Sequence, residues 1–349
     1  MNHGATLITG GAGFIGCNLA DTLLENGDRV LVFDNLSRKG SQANLEWLQS
    51  RHGRAFNFIE GDVRDFTSLS QAMQGVQVVY HLAAQTAVTR SVEFPWEDFD
   101  INARGTLNVL EAARLQPEHP VVFYSSTNKV YGALEGARVL DDGTRYSLPD
   151  YPIGIDETYP VDFHSPYGCS KGAADQYMHD YARIYGIPTV VFRQSCIYGQ
   201  RQFGVEDQGW VAWFVIASIL GYPITIYGDG KQIRDILNVK DLVRAYILAT
   251  EAIDRTAGQI YNIGGGPANA LSIWAEFGSL LCDLLGNDLR PEKIGDWRPG
   301  DQPVFISNTT KARQDFGWEP LIPVRQGVAD LMEWVCMNKG MIASTLAMG

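Results

Sequence analysis

The sequence predicts an α/β protein built on a doubly wound parallel sheet, with a smaller lobe interleaved towards the C-terminus. Apolar runs of strand length alternate with helical patterns through the first half of the chain, which is typical of a parallel sheet with right-handed crossovers. A glycine-rich turn joins the first strand to the first helix. The alternation ends after Ser195, where shorter elements follow in a different order. We therefore predict one domain over 1–194 plus 235–265, and a second lobe over 195–234 plus 266–340.

The first strand and its turn carry a pattern suited to phosphate. The apolar run 5–9 fits a buried parallel strand, and glycines at 10, 13 and 16 precede a helical pattern from Cys17 to Glu25. The first glycine permits a sharp turn, the second lets a pyrophosphate approach backbone N–H groups, and the third lets the helix pack against the strand. This pattern favours a Rossmann dinucleotide-binding turn; a tight turn without a ligand is the alternative.

The second strand, 28–34, ends in a carboxylate. Asp34 follows the glycines by about 20 residues, where an acid binds the adenosine ribose hydroxyls in dinucleotide-binding sheets. A carboxylate there repels a 2′-phosphate, so the residue favours NAD over NADP. Arg38 instead favours NADP, although a solvated loop arginine is an equally good interpretation.

Later strands end in polar or small residues. The runs 56–63 and 76–84 end near Asp62 and a small-residue segment, and 121–127 ends in hydroxyls. Because the carboxyl ends of parallel strands share one edge, Thr127 and the glycine turn are expected to lie at the same edge, where ligands bind. His81 is interpreted as a core or strand-end histidine.

Tyr167 and Lys171 are spaced one helical turn apart. The stretch 164–171 opens a good helix pattern, so this spacing places a phenol and an ammonium on one face. A phenol with a pKa near about 10 is a poor base at neutral pH, and a close positive charge favours the phenolate. The pair therefore indicates an acid/base site, and chance occurrence of the two residues on an ordinary helix is the alternative.

Composition excludes several classes of protein. The formal net charge of -12 argues against nucleic acid as a partner. No apolar run reaches about 20 residues, so no membrane span is predicted, and the N-terminal residues lack a signal-peptide pattern. The five cysteines are scattered without CxxC spacing, which predicts reduced thiols, a cytoplasmic protein and no metal site.

The second half contains a long polar segment and an apolar helix. Residues 133–159 show no clear period, and a loop of this length is usually functional or mobile. The helix pattern 210–216 begins at Trp210, which is interpreted either as a wall on which a sugar stacks or as core.

Taken together, these motifs resemble the extended short-chain dehydrogenase/reductase family of nucleotide-sugar epimerases and dehydratases. The resemblance runs from Thr6 to about Glu319. The motifs are GGAGFIG at 10–16, DNLS at 34–37, GDVRD at 61–65, HLAAQ at 81–85, SSTNKVYG at 125–132, SPYGCSK at 165–171, YGDGKQIRDILNVKD at 227–241 and RPGD at 298–301.

The resemblance implies NAD as the cofactor and assigns residues to it. Thr127, Tyr167 and Lys171 would be catalytic, with Thr127 bonded to the sugar oxygen, Tyr167 as acid/base, and Lys171 binding the nicotinamide ribose and lowering the Tyr167 pKa. The other cofactor contacts would be Gly10, Gly13, Phe14, Ile15, Gly16, Asp34, Asn35, Ser37, Arg38, Asp62, Val63, Leu82, Ala83, Ala84, Gln85, Asn102 and Ser125.

The resemblance also implies a nucleotide-sugar substrate. Arg234 and Arg298 match the family's diphosphate-binding arginines, and the guanidinium fork suits phosphate oxygens; Asp301 matches its ribose acid. A surface salt bridge is the alternative for each arginine. The further candidates for substrate binding are Gln85, Thr127, Asn128, Gln194, Arg201, Gln202, Trp210 and Tyr227.

Two residues distinguish between reactions within the family. Its 4,6-dehydratases carry an Asp-Glu pair directly after the threonine, whereas Asn128 and Lys129 stand there in this chain. Neither is a carboxylic acid able to protonate a leaving hydroxyl, so elimination of water is disfavoured.

The expected activity is therefore reversible hydride transfer without elimination. A narrower resemblance, in 126–132, 162–178 and 199–210, favours NAD-dependent epimerisation at C2 of a CDP-linked hexose. The alternatives are a UDP-sugar 4-epimerase, a reductase that releases its cofactor, and a non-catalytic dinucleotide-binding scaffold. The family also implies a homodimer or homotetramer.

Overall fold

The first of two compact units contains the central sheet. The computed structural model describes residues 4–298 and 300–347. The first unit extends to Thr127 and also contains Pro166–Arg193 and Val243–Tyr261. The chain therefore leaves this unit and returns to it twice.

The second unit is assembled from the intervening segments. It contains Asn128–Ser165, Gln194–Leu242 and the described chain from Asn262 onwards. The predicted domain ranges placed 128–165, 194, 235–242 and 262–265 in the first domain, whereas the structure has them in the second unit. For 128–165 the reason is that Val130, Ile155 and their neighbours pack in a core of the second unit.

The strands and helices have the following bounds. The strands are β1 (Ala5–Thr9), β2 (Val30–Asp34), β3 (Asn57–Glu60), β4 (Val76–His81), β5 (Val121–Thr127), β6 (Leu140–Asp141), β7 (Tyr146–Ser147), β8 (Thr189–Gln194), β9 (Cys196–Tyr198), β10 (Thr225–Tyr227), β11 (Ile233–Asn238), β12 (Gln259–Ile263), β13 (Ala270–Ser272), β14 (Lys293–Gly295) and β15 (Val304–Phe305). The helices are α1 (Phe14–Glu25), α2 (Ser41–His52), α3 (Phe66–Ala72), α4 (Val88–Glu93), α5 (Pro95–Phe99), α6 (Gly105–Arg114), α7 (Ser165–Tyr185), α8 (Trp210–Leu220), α9 (Val239–Glu251), α10 (Ile253–Thr256), α11 (Phe277–Leu285), α12 (Thr310–Phe316), α13 (Val324–Met337) and α14 (Lys339–Ala347). A π-helical segment, Asp100–Arg104, joins α5 to α6, and 3-10 turns occur at Asn128–Tyr131 and Pro267–Asn269.

The central sheet has seven strands in the order β12-β8-β5-β4-β1-β2-β3. The pairs β1–β2, β2–β3, β1–β4 and β4–β5 are parallel. The chain moves outward from β1 to β3 and then resumes on the other side of β1, so the order reverses between β1 and β4. This is the predicted doubly wound topology, and its switch point is where ligands bind in such sheets.

The sheet is apolar on both faces because helices cover it. Leu7, Val79 and Val122 are fully buried and pack with residues of α3, α6 and α7 in one core. The strands predicted at 28–34 and 56–63 are present as β2 and β3, each shorter than predicted.

The second unit is organised around β11. This strand pairs with β13 in antiparallel register and with β9 and β15 in parallel register. The long segment 133–159 is anchored here: it contains the β6–β7 hairpin, and the backbone N–H of Ile155 donates to Ile306 over 2.8 Å. Among the described residues, no helix has the length and apolarity that a bilayer crossing requires.

Candidate active site

In the turn between β1 and α1, neighbouring backbone atoms leave no room for a side chain at two of the glycines. Gly10 has φ of +69°, and a Cβ on it would lie 2.6 Å from the backbone nitrogen of Ala83. A Cβ on Gly16 would lie 2.2 Å from the carbonyl oxygen of Gly10. The helix begins after Gly13, which has no side chain to accept from the first-turn N–H groups. These donors and the helix dipole suit a pyrophosphate.

Asp34 holds this turn from the end of β2. Its carboxylate accepts from the N–H of Ala12 over 3.0 Å and from that of Leu36 over 2.8 Å. Burial raises the pKa of Asp34, and these backbone hydrogen bonds act in the opposite direction. A third backbone N–H, that of Gly13, also donates to Asp34. A carboxylate accepts about four hydrogen bonds, so acceptor capacity remains for a ribose hydroxyl.

A second acid lies beside Asp34 at the end of β3. Asn35 donates to Asp62 over 2.8 Å, and Ser37 donates to Asn35 over 2.7 Å. Arg64 binds Asp62 with two hydrogen bonds of 2.9 and 2.6 Å, which lower the pKa of Asp62 to about 2. The predicted ribose and adenine residues therefore form one connected group, while Arg38 is exposed on the following loop.

The predicted catalytic pair is buried on α7. Tyr167 shares a hydrogen bond with Thr127, the last residue of β5. Lys171 donates to the carbonyl of Ser125 over 2.5 Å, and its ammonium lies 4.3 Å from the centre of the Tyr124 ring. The structure thus brings Thr127, Tyr167 and Lys171 to the end of β5, as the motif predicted.

The electrostatics of this pair correct one prediction. Burial raises the pKa of Tyr167 to about 12, with the Thr127 hydrogen bond opposing this. The expected lowering of this pKa by Lys171 is wrong here, because the ammonium is directed at Ser125 and the Tyr124 ring. Burial lowers the pKa of Lys171 itself to about 7, against the opposite effect of Asp98 and Asp175.

Gln85 and Asn102 are committed to an internal network. Asn102 bonds the backbone N–H and carbonyl of Gln85 over 2.9 and 3.1 Å. The Gln85 amide donates to Ala87 and to Asp98, both over 2.9 Å. Their side chains therefore position the loop after β4, and their contacts with cofactor and substrate stay predictions.

A buried ion pair supports the strand that carries Ser125. Arg193 binds Asp175 through two hydrogen bonds of 3.0 and 2.9 Å, and their side chains are 4% and 0% exposed. Ser126 donates to the same carboxylate over 2.7 Å. This pair links β5, α7 and β8 beneath the catalytic residues.

In the second unit, three charged residues form a cluster. Asp301 accepts from Arg234 over 2.6 Å and from Lys129 over 3.2 Å. Burial opposes ionisation, but Arg234 and Lys129 together hold the pKa of Asp301 at about 2. The predicted ribose acid is thus engaged by two cations, and the cluster carries a net positive charge. Lys129 was missed as a binding candidate because the sequence shows only that it is not an acid.

Arg298 and Tyr227 form a second group in this unit. The Arg298 guanidinium lies 4.2 Å from the centre of the Tyr227 ring and donates to the carbonyl of Glu206 over 2.8 Å. The Tyr227 hydroxyl donates to the Glu206 carboxylate over 2.8 Å. Arg298 also forms a salt bridge of 3.4 Å with the exposed Asp207. Arg234 and Arg298 are therefore held by different acids, a buried one for the first and an exposed one for the second.

The remaining substrate candidates differ in exposure. Trp210 is half-buried, packs 5.0 Å from the Phe277 ring centre and donates to the sulfur of Cys196 over 3.4 Å, which agrees with a core role on one face. Arg201 lies 5.8 Å from the Trp334 ring centre. The other three, all buried, are Asn128, Gln194 and Gln202.

Comparison with known proteins decides the family. The profile of the NAD dependent epimerase/dehydratase family matches residues 6–264. The chain belongs to this family.

Similar proteins align with nearly the whole length of this chain. It is 45% identical over 335 residues to CDP-paratose 2-epimerase of Salmonella typhi, covering 94% of this chain and 98% of the relative. A UDP-glucose 4-epimerase of Thermotoga maritima, solved with UDP-glucose, is 32% identical with a TM-score of 0.81 and covers 96% of this chain and 99% of its own. The dTDP-glucose 4,6-dehydratase DesIV of Streptomyces venezuelae, solved with NAD, is 28% identical with a TM-score of 0.83 and covers 98% and 99%.

The residues of this chain at the ends of β1 and β2 fit NAD as the cofactor. The glycine turn excludes any Cβ at Gly10 and Gly16, the first turn of α1 offers N–H donors, and Asp34 retains acceptor capacity for ribose. Among residues 4–298 and 300–347, no group of three or more His, Cys, Asp or Glu side chains is placed to hold a metal ion.

Replacement of Gly10 by alanine is expected to remove bound NAD. The new Cβ meets the Ala83 backbone, and the positive φ adds about 1–2 kcal/mol of strain. Gly27→Ala is the matched control, since Gly27 has φ of +83° and nothing within 4 Å of its Cβ position. NAD released on denaturation, measured per chain, should fall at least tenfold in Gly10→Ala only. Equal NAD content in the two variants would contradict the assignment of the glycine turn as the pyrophosphate-binding site.

Proposed function

We propose that this protein is an NAD-dependent nucleotide-sugar epimerase that inverts C2 of a CDP-linked hexose. The observation that carries the proposal is the buried Thr127–Tyr167 hydrogen bond beside Lys171, with no carboxylic acid at the two positions after Thr127. The 45% identity to a relative named CDP-paratose 2-epimerase supports the choice of base and carbon.

In this proposal Tyr167 moves the proton. Its phenolate accepts the proton of the C2 hydroxyl as the C2–H bond breaks and the carbon–oxygen double bond forms. Thr127 bonds the same oxygen and keeps it within reach of the phenol. NAD, held by the glycine turn, Asp34 and Lys171, would supply the reversible hydride acceptor for C2, and its positive ring would favour the phenolate. Tyr167 then returns the proton to the oxygen, so the cycle consumes neither proton nor cofactor.

Lys171 and the glycine turn hold the cofactor in this scheme. The Lys171 ammonium, directed along the end of β5, binds the nicotinamide ribose. Asp34 binds the adenosine ribose, and the first turn of α1 binds the pyrophosphate. The remaining cofactor candidates follow β2, β3 and β4, lie in β5, or, for Asn102, lie in the π-helical segment.

The second unit binds the nucleotide part of the substrate. Arg234, Lys129 and Arg298 supply cations for the diphosphate, and the single carboxylate of Asp301 leaves the Arg234–Lys129 group net positive. Asp301 fixes the orientation of the two cations as well as offering an acceptor to the ribose. Lys129 therefore replaces an acid with a phosphate-binding cation, which is consistent with epimerisation and not with elimination of water.

A deuterium experiment tests the proposal. CDP-hexose labelled at C2 or at C4 is incubated with the protein, and the product is identified by NMR. Inversion at C2 is expected, with a primary isotope effect from the C2 label alone and the deuterium retained in the product. Inversion at C4, or turnover of UDP-glucose in preference to CDP-hexoses, would support the alternative of a UDP-glucose 4-epimerase, which the relatives of that name favour.

We also propose a homodimer in the cytoplasm. α6 is followed by Leu115, which is 60% exposed, and α7 exposes Tyr177, Ile184 and Tyr185 by 44% or more. Apolar side chains on two long helices suit a helix–helix interface between copies. The molar mass in solution tests this, and a monomer at micromolar concentration would contradict it. The scattered cysteines support the location.

A further inference from the structure

A buried carboxylate lies at the centre of a polar network next to the catalytic pair. Asp98, on α5, is 1% exposed. One of its oxygens accepts from the Gln85 amide over 2.9 Å and from the Asn102 amide over 3.1 Å, and the other accepts from the Ser170 hydroxyl over 2.5 Å. Such a group is costly to bury unless its charge has a use or a partner.

The network joins three elements to the start of α7. Asn102 lies in the π-helical segment and donates to Ser170 over 3.1 Å, as well as bonding the backbone of Gln85. Ser91, on α4, accepts from the N–H of Tyr167 over 3.1 Å. Single-turn π-helices often mark functional sites because they re-aim side chains. The spacing of four residues places Asp98 and Asn102 on one side of the chain, where both bind Ser170.

Ser170 lies between the two catalytic residues in sequence. It stands three residues after Tyr167 and directly before Lys171. Its hydroxyl also contacts the carbonyl of Tyr167 over 3.2 Å. The Asp98–Ser170 hydrogen bond therefore fixes the turn of α7 that sets the spacing of the phenol and the ammonium.

The charges around Lys171 come from several elements. The carboxylates of Asp98 on α5 and Asp175 on α7 itself raise the pKa of Lys171 against the effect of burial, and burial in turn raises the pKa of Asp98. His81 on β4 is kept neutral because burial and Lys171 lower its pKa to about 3. The Tyr124 ring covers the ammonium from β5. Asp175 is bound by Arg193, whereas the hydrogen bonds of Asp98 described above come from neutral groups.

We propose that Asp98 is the positioning residue of the catalytic pair, which holds Ser170 and supplies the buried negative charge that keeps Lys171 an ammonium. The role of Lys171 in turnover rests on the proposed function; the effect of Asp98 on its charge does not. Asp98 touches neither Tyr167 nor the reacting atoms in this account, and acts through its two neighbours on α7.

The test measures the charge of Lys171 directly. The NAD-bound protein is labelled with ¹³C-lysine, the Lys171 signal is assigned by its loss in Lys171→Arg, and its ¹³Cε shift is followed against pH. Asp98→Asn keeps the shape and one oxygen that accepts from Gln85 and Asn102, and it removes the charge. Its amide nitrogen cannot accept from Ser170, so the Ser170 hydrogen bond has to reverse its direction or is lost. We expect the Lys171 titration to move to lower pH by about one unit or more, a tenfold change in proton affinity. Asp98→Ser is the second neutral variant, should the first fail to fold.

Ser170→Ala separates charge from structure. It removes the hydrogen bond to Asp98 and keeps the carboxylate, so it should lower stability while the Lys171 titration moves by less than about 0.3 unit. In Asp98→Asn the alkaline limb of kcat should follow the Lys171 titration to lower pH. An unchanged titration in both neutral variants would overturn the proposal. A wild-type protein without epimerase activity would overturn the proposed function alone, because the titration still reports on Asp98.

Discussion

Tyr167→Phe is expected to abolish epimerisation while NAD stays bound. The change removes one oxygen and leaves the ring packed at the start of α7, where Tyr167 is 9% exposed. Without the phenol no side chain takes the hydroxyl proton as hydride leaves, and the loss of such a group lowers kcat by about 10²- to 10⁴-fold. Turnover is measured by NMR of the sugar product, and cofactor content by absorbance after denaturation.

Tyr181→Phe is the matched control for this variant. Tyr181 lies on the same helix, is 7% exposed, and donates its hydroxyl to Glu111 over 2.7 Å. It therefore loses the same atom and one hydrogen bond, away from the end of β5, and kcat should stay within about twofold of wild type. Turnover of Tyr167→Phe within tenfold of wild type would remove Tyr167 as the acid/base. Loss of NAD from it would show that the phenol is needed to hold the cofactor.

Asp175→Ala is expected to give the largest loss of stability. The substitution removes the carboxylate that binds the Arg193 guanidinium, in a site where the Arg193 side chain is 4% exposed, and it removes the acceptor of Ser126. Breaking a buried pair in this way costs about 3–5 kcal/mol of the free energy of unfolding. The urea midpoint of the NAD-bound protein measures the effect.

An exposed ion pair on the same helix provides the comparison. Asp180 pairs with Arg183, and their side chains are 41% and 62% exposed. Asp180→Ala should change the free energy of unfolding by about 0–1 kcal/mol, because solvent screens the pair. The double variant Asp175→Ala/Arg193→Met should recover part of the loss, since the unpaired charge is gone. Equal effects of Asp175→Ala and Asp180→Ala would contradict the burial argument.

Local signals explain what the sequence predicted well. The glycines at 10 and 16 are required by contacts with neighbouring backbone, so spacing alone identifies the turn. Asp34 follows directly from its place at the end of a strand, and Tyr167 with Lys171 from one helical turn. The doubly wound order follows from alternation and the handedness of crossovers. These short-range patterns and their order along the chain were sufficient to predict the family.

Long-range partners explain what the sequence did not show. From the sequence, Asp98 would be expected on an exposed helical turn. Its burial depends on contacts with Gln85 and Ser170, which are distant along the chain. The binding role proposed for Lys129 depends on its pairing with Asp301, which is distant along the chain. The pKa of Tyr167 was misjudged for the same reason: the direction taken by the Lys171 ammonium depends on the carbonyl at the end of β5. Patterns of spacing carry no information on such pairings.

The edge position of β12 has a consequence for synthesis on the ribosome. β12 (Gln259–Ile263) lies beside β8 at one end of the sheet, yet it is translated long after the other strands. Until it emerges, the open side of β8 presents unpaired backbone groups that pair readily with strands of other chains. We therefore expect chains truncated before β12 to aggregate more readily than the full chain.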